Sequence, residues 1–171
     1  MYITKTKISY PVTLASDEAL IKRTFSLFLN ENDDNDYIDS LLISATRDRE
    51  GFINQDIAYT SNIITLKDFT GSELVIPQGN YNSITSILNN DSSTLVTAYT
   101  TTKSYDNVII SFDPTLDTDL LAINFTTGWN NNSDVPQPIK QAIIFKALGM
   151  YDKTDIYDDI CDSLCQQYKL L

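Results

Sequence analysis

The 171-residue chain carries 12 Lys plus Arg against 23 Asp plus Glu, a formal net charge of −11 at pH 7, and it has no histidine, two cysteines and five glycines. The missing histidine removes the commonest general base at neutral pH, the usual partner of a Ser or Cys nucleophile and the commonest transition-metal ligand. Gly51, Gly71, Gly79, Gly128 and Gly149 spell neither GxGxxG nor GxxxxGK, so no dinucleotide or P-loop phosphate cradle is encoded.

A hydrophobic share of 42% with 11% aromatics separates the chain from an acidic disordered tail. Its length predicts one domain spanning residues 1–171, with a core that needs neither disulfide nor metal. Strong negative charge opposes any grip on a phosphate backbone, which requires clustered Lys and Arg. No apolar h-region follows Lys5 and Lys7, and no apolar run reaches about 18 residues, so a soluble, unprocessed protein without a membrane partner is expected.

In chain order, an extended start leads to Ser16-Asp17-Glu18, an N-cap with acidic first-turn residues, then Leu20, Ile21, Thr24, Phe25 and Phe28 at helical spacing. The turn-rich run Asn30 to Asp36 caps a second helix striped by Ile38, Leu41, Leu42, Ala45 and Phe52, making a helical hairpin over 14–53. From Ile57 to Thr127 the composition turns to Thr, Ile, Val and Tyr. Strands are predicted over 57–67, 73–77, 83–89, 94–101, 106–112 and 119–127, with breaks at 68–72, 77–82, 89–93 and 113–117. Such short spacings favour hairpins and therefore an antiparallel sheet or small barrel.

Pro136 and Pro138 suit the first turn of a core helix over 136–153. That helix carries two apolar stripes, Ile139, Ala142, Ile143, Ala147 and Met150 on one and Ile144, Phe145, Leu148 and Tyr151 on the other, so it needs cover on two sides. A last helix, over 154–171, presents Tyr157, Ile160, Cys161, Leu164, Tyr168 and Leu171 on one face and Asp158, Asp159 and Asp162 nearer the other. Its apolar stripe suggests an arm for a partner. The fold class is α+β.

The motifs with chemical potential mostly resolve to structure. The Asn32-Asp33-Asp34-Asn35-Asp36 run imitates an EF-hand loop, but Tyr37 replaces the required Gly and Ile43 the closing Glu. Asp152, Asp155, Asp158, Asp159 and Asp162 hold enough carboxylates for glycoside cleavage, yet along one helix they read as a hydrated face. Cys161 and Cys165, four apart on a helix, are poorly placed for a disulfide and lack further metal ligands, so free thiols are expected. Trp129 reads as a core plug, and Arg47 and Arg49 suit the negative end of the second helix.

The succession of a helical hairpin, antiparallel strands, Thr127-Gly128-Trp129, Val135-Pro136 and the Pro138-Ile139-Lys140-Gln141-Ala142 helix ending at Tyr151 resembles the head-to-tail connector (adaptor, or head-completion ring) proteins of tailed bacteriophages. The acidic loop leading into Tyr37-Ile38-Asp39-Ser40-Leu41-Leu42, with Ala45 and Glu50, extends the likeness, which covers residues 14–151 and departs in the Asp-rich segment after Tyr151.

The resemblance implies a non-enzymatic virion subunit at the head-tail interface, made in the host bacterial cytoplasm. It would form a homo-oligomeric ring, usually a dodecamer, joining the portal protein to tail or further ring and stopper proteins, with DNA only passing through its channel. No catalytic residue, cofactor or metal ligand is nominated. The residues expected at interfaces are Ile144, Phe145, Leu148, Tyr151, Tyr157, Ile160, Leu164 and Tyr168. Competing readings are another tail-completion or stopper protein, and a carbohydrate-binding β module built on Trp129 and the tyrosines.

Overall fold

The computed structural model describes residues 2–9, 35–89, 94–104 and 107–170, with the backbone alone for 2–9, Asn35 and Asn132. The first predicted helix and most of the acidic loop before Asn35 lie outside the described residues, as do positions 90–93 and 105–106. The chain is α+β and divides into two compact units, one of Met1–Pro11 and Tyr59–Gly128, the other of Val12–Ala58 and Trp129–Leu171.

The first unit is an antiparallel sheet of β1 (Tyr2–Ser9), β2 (Thr60–Pro77), β3 (Tyr81–Asn89), β4 (Thr94–Leu95), β5 (Tyr99–Lys103) and β6 (Asn107–Thr127). The order is β1-β2-β6-β3-β4, with β5 also paired to β6. Burial alternates along Thr60 to Leu66 and along Asn107 to Phe112, the period of two that places every second side chain in the core. That core gathers Ile64, Leu66, Phe69, Leu74, Ile76, Ile87, Val108, Ile110, Phe112, Leu121, Ile123 and Phe125, with Phe69 and Phe112 meeting edge to face at 5.7 Å between ring centroids.

The strand boundaries differ from expectation. The breaks predicted at 68–72 and 113–117 are irregularities inside β2 and β6, which pair along nearly their whole lengths, from Thr60↔Thr127 to Pro77↔Asn107. The turn-forming residues there are real signals, but tertiary pairing absorbs them. Asp68 takes a positive φ of 54°, and the register shifts between Gly71 and Glu73 so that the Asp113-Pro114-Thr115 segment bulges out of the ladder, where proline's missing N–H costs no pairing.

This irregularity lets the sheet bend back on itself. Lys103 is paired with Val108 and Tyr81 with Thr127, positions that would stand roughly 60 Å apart on a straight strand. The Lys103 ammonium nevertheless donates to the Tyr81 carbonyl at 2.7 Å. The two ends of β6 are therefore brought together and share one core.

The second unit is helical: α1 (Asn35–Ile53), α2 (Gln137–Asp152) and α3 (Asp158–Cys165), followed by a short 3-10 turn over Gln166–Tyr168. Along α1, buried pairs at Leu41-Leu42, Ala45-Thr46 and Arg49-Glu50 alternate with exposed pairs, the signature of one inward stripe. The helix ends where Asn54 adopts a φ of 56°, and the Glu50 carboxylate then accepts from the N–H groups of Ile57 (2.8 Å) and Ala58 (3.2 Å), fixing the exit of the chain. Pro136 and Pro138 flank the start of α2, as expected.

Helix α2 is the centre of this unit. Ile139, Ala142, Ile143, Ile144, Ala147, Leu148 and Gly149 are buried, because α1 and α3 cover it from two sides. The cover predicted from its two stripes thus comes from the chain's own helices.

Candidate functional site

The candidate surface is the corner where α2 hands over to α3. Lys153 takes a left-handed φ of 54°, its N–H turns back to the Gly149 carbonyl, and the Thr154 N–H reaches the same oxygen at 2.9 Å. A glycine is required at 149, since a Cβ there would lie 2.9 Å from the Thr154 carbonyl oxygen and 3.4 Å from the Tyr157 ring. The Asp158 N–H bonds the Asp155 carbonyl at 3.0 Å, and Tyr157 stacks on Phe145 with ring centroids 5.9 Å apart and planes 9° from parallel. The turn is fixed by backbone and side chain together.

Two ion pairs hold α3 down. Lys146 Nζ lies 2.7 Å from Asp158 Oδ1, linking α2 to α3, and Arg49 Nη1 lies 2.6 Å from Asp162 Oδ1, linking α1 to α3. Arg49 also pairs with Asp48 and sits over the Phe52 ring at 5.1 Å, with Lys169 on that ring at 4.7 Å. Burial alone pulls the Arg49 guanidinium down, but hydrogen bonds to Asp162 and Asp48 outweigh it and the net movement is upward. The hydrogen bond to Asp158 likewise raises Lys146.

The acidic face expected on the last helix is therefore divided. Asp158 and Asp162 turn to cations of the same unit, while Asp152, Asp155 and Asp159 remain exposed. This carboxylate row is mortar as well as surface.

Cys161 and Cys165 are free and buried. The Cys161 thiol donates to the Ala142 carbonyl at 3.3 Å, and burial pushes it up to about 11, so it stays protonated and unreactive at neutral pH. Burial raises Cys165 as well. Beyond α3, Gln55 Nε2 donates to the Tyr168 carbonyl and the Leu170 N–H to the Ile53 carbonyl at 2.9 Å. The last helix is shorter than expected, since residues 154–157 form the turn, and its apolar stripe of Cys161, Leu164, Cys165 and Tyr168 packs into the helical core.

The eight residues expected at interfaces separate accordingly. Ile144 and Leu148 are buried in the helical core, where α1 and α3 leave them no free face. Phe145, Tyr151, Tyr157, Leu164 and Tyr168 are half-buried against that core, with Tyr151 also 6.2 Å from the Tyr37 ring. Ile160 is 48% exposed, at the margin of the stripe of Tyr157, Cys161 and Leu164. Sequence reasoning missed Ile156, 70% exposed within the turn, because it starts the last helix at Thr154 whereas the helix begins at Asp158. Trp129 packs against the helical core, its N–H bonded to the Ile57 carbonyl at 3.0 Å.

Among the described residues no group of three or more Cys, Asp or Glu side chains is disposed to hold a metal ion, and no helix is long and apolar enough to cross a membrane.

No protein-family model matches the chain, and no curated protein matches it in sequence. Solved structures do match. A chain in the neck of the empty gene transfer agent particle, computed with C6 symmetry, is similar at a TM-score of 0.77 and 16% identity, covering 100% of this chain and 96% of that one. A chain in the virion of the native gene transfer agent particle gives 0.78 at 15% identity, over 98% and 96%. A chain in the neck of the native particle, computed with C12 symmetry, gives 0.70 at 17% identity, over 100% and 96%. The fold is that of a neck chain of gene transfer agent particles, as the resemblance to head-to-tail connectors implied.

Proposed function

We propose that this chain is a structural subunit of the neck of a phage-like particle, an adaptor that closes into a homo-oligomeric ring between the portal and the tail or further ring proteins. The observation that carries this reading is the end-to-end likeness to neck chains, over nearly the full length of both partners. The necks containing those chains were computed with C6 and C12 symmetry, which suits a ring subunit, and the C12 neck suits a dodecamer. The work of such a subunit is contact, and the chain's investment in ion pairs, capped turns and a doubly covered central helix suits a part that must hold its shape under load.

The charge has a place in this reading. A net −11 per subunit, repeated around a channel, repels the phosphate backbone and lets DNA pass without sticking. The exposed carboxylates Asp68, Glu73, Asp113, Asp117 and Asp119 lie along the irregular stretch of β2 and β6.

The test is assembly. Heads that carry portal but lack this chain should bind the purified protein, show an added ring below the portal in negative-stain images, and regain tails. Heads that neither bind it nor gain density at the portal vertex would overturn the proposal.

A further inference from the structure

The 153–157 turn is fixed by several contacts, yet it carries a largely exposed isoleucine, Ile156. Left-handed Lys153, the close approach at Gly149, the Tyr157 to Phe145 stack and the Lys146 to Asp158 pair all act to hold it. Ile156 is 70% exposed and Ile160, one helical turn on, is 48% exposed. Each leaves apolar surface in water that an inward position would bury. Asp155 and Asp159 stand beside them at the same spacing of four, both exposed, with exposed Asp152 preceding the turn. The result is a rigid apolar knob with a carboxylate border.

We infer that this knob is a docking surface for a different protein at the portal vertex of the head, one that offers an apolar pocket rimmed by Lys or Arg. This rests on the adaptor reading and specifies which surface of the subunit makes the contact. Charge complementarity selects the occupant. A second copy of the chain brings another net −11, and two of its 12 cations, Arg49 and Lys146, are already held in pairs on α3. Like charge at the rim opposes self-association through this corner, whereas a basic rim is drawn to it. The pre-fixed turn adds affinity because little order remains to be gained on binding.

The experiment uses full-length protein and portal-bearing heads that lack it. In the Ile156→Asp plus Ile160→Asp double variant, attachment to heads should fall about tenfold or more, while circular dichroism and melting stay those of the parent. Asp155→Lys plus Asp159→Lys should weaken attachment and invert its salt dependence. Ile43→Asp, at an exposed isoleucine on the outer face of α1, should leave attachment unchanged. If the parent attaches and the isoleucine variant attaches equally well, the docking assignment is wrong and the adaptor reading survives. If that variant instead loses self-association while single subunits still bind heads, the occupant is a second copy and the assignment is again wrong. If the parent itself does not attach, the adaptor reading fails and takes the assignment with it.

Discussion

Arg49 on α1 reaches across to Asp162 on α3, with Nη1 2.6 Å from Oδ1, so that residues 113 positions apart close the helical unit. The Arg49 side chain is 5% exposed and that of Asp162 47%, which makes the bond asymmetric: one partner is committed to the interior and the other can be solvated. Removing the interior partner should therefore cost more. Arg49→Ala is expected to destabilise by about 3 kcal/mol, since it also uncovers Phe52, whereas Asp162→Asn should cost about 1 kcal/mol, Asp48 remaining in place. Arg49→Lys should not restore the parent, because a point charge cannot serve both carboxylates in the geometry of the guanidinium fork. Denaturant titration of the single and double variants gives the coupling directly, and additive effects would show that the pair contributes nothing of its own.

Glycine substitutions should act in opposite directions at two helical positions. At Gly149 a methyl group would strike the Thr154 carbonyl oxygen, and the backbone turn of 153–157 cannot shift without losing its two bonds to the Gly149 carbonyl. Gly149→Ala is expected to destabilise by about 1–3 kcal/mol despite alanine's better helix propensity. At Gly51 nothing lies within 4 Å of the added atom, so Gly51→Ala should stabilise by about 0.5–1 kcal/mol. Thermal melts of the two variants check both signs.

The fold class and helices α1 and α2 were legible because their signals are local. Two prolines at the start of α2, the paired stripes of that helix and the Leu41-Leu42-Ala45 stripe of α1 all follow from helical spacing. What escaped was long-range. Asp68 to Ser72 and Asp113 to Asp117 carry turn composition, yet cross-strand pairing holds both inside long strands and uses their irregularity to bend the sheet. Asp158 and Asp162 look like solvated charges until the fold brings Lys146 and Arg49 opposite them. At the candidate site Ile160 was named, on one stripe with Tyr157 and Leu164, and Ile156 was not, because helical spacing over 154–171 picks out that stripe while the helix begins only at Asp158 and leaves Ile156 in the turn before it.

Alkaline pH should weaken the helical unit through Cys161. Burial moves its thiol from 9.0 to about 11, so between those values the folded chain keeps a proton that the unfolded chain has released. Stability from this source is complete below pH 9 and is lost as pH rises through 11, by up to about 3 kcal/mol. Lys146, raised by its hydrogen bond to Asp158, acts in the same direction beginning higher, from 10.5. The melting temperature of the parent should thus fall between pH 9 and 11, and Cys161→Ala should show a shallower fall whatever its melting point at pH 7. At pH 7 a thiol reagent should leave both cysteines untouched until denaturant is added; labelling of the native chain would contradict the burial seen at 161 and 165.

Acidity at the bend of the β unit yields the last prediction. Asp113, Asp117 and Asp119 are exposed on β6, opposite or beside exposed Asp68 and Glu73 on β2. Native protein should show no retention of duplex DNA in a mobility-shift assay at about 0.1 M salt, where the screening length is roughly 10 Å and a dense carboxylate patch still repels phosphates. Replacing Asp113, Asp117 and Asp119 by Lys changes the charge by six units per subunit, and these residues are exposed, the one bond given up being that from Thr70 Oγ1 to Asp117 at the surface, so the fold should be kept. DNA should then be retained, with an affinity that declines steeply as salt is raised from 0.05 to 0.2 M. In assembled particles the same variant should slow DNA release while leaving head-tail joining intact. Unchanged release in particles that demonstrably contain the variant would separate the acidity of this bend from DNA passage, and would direct attention to the carboxylates of the helical unit instead.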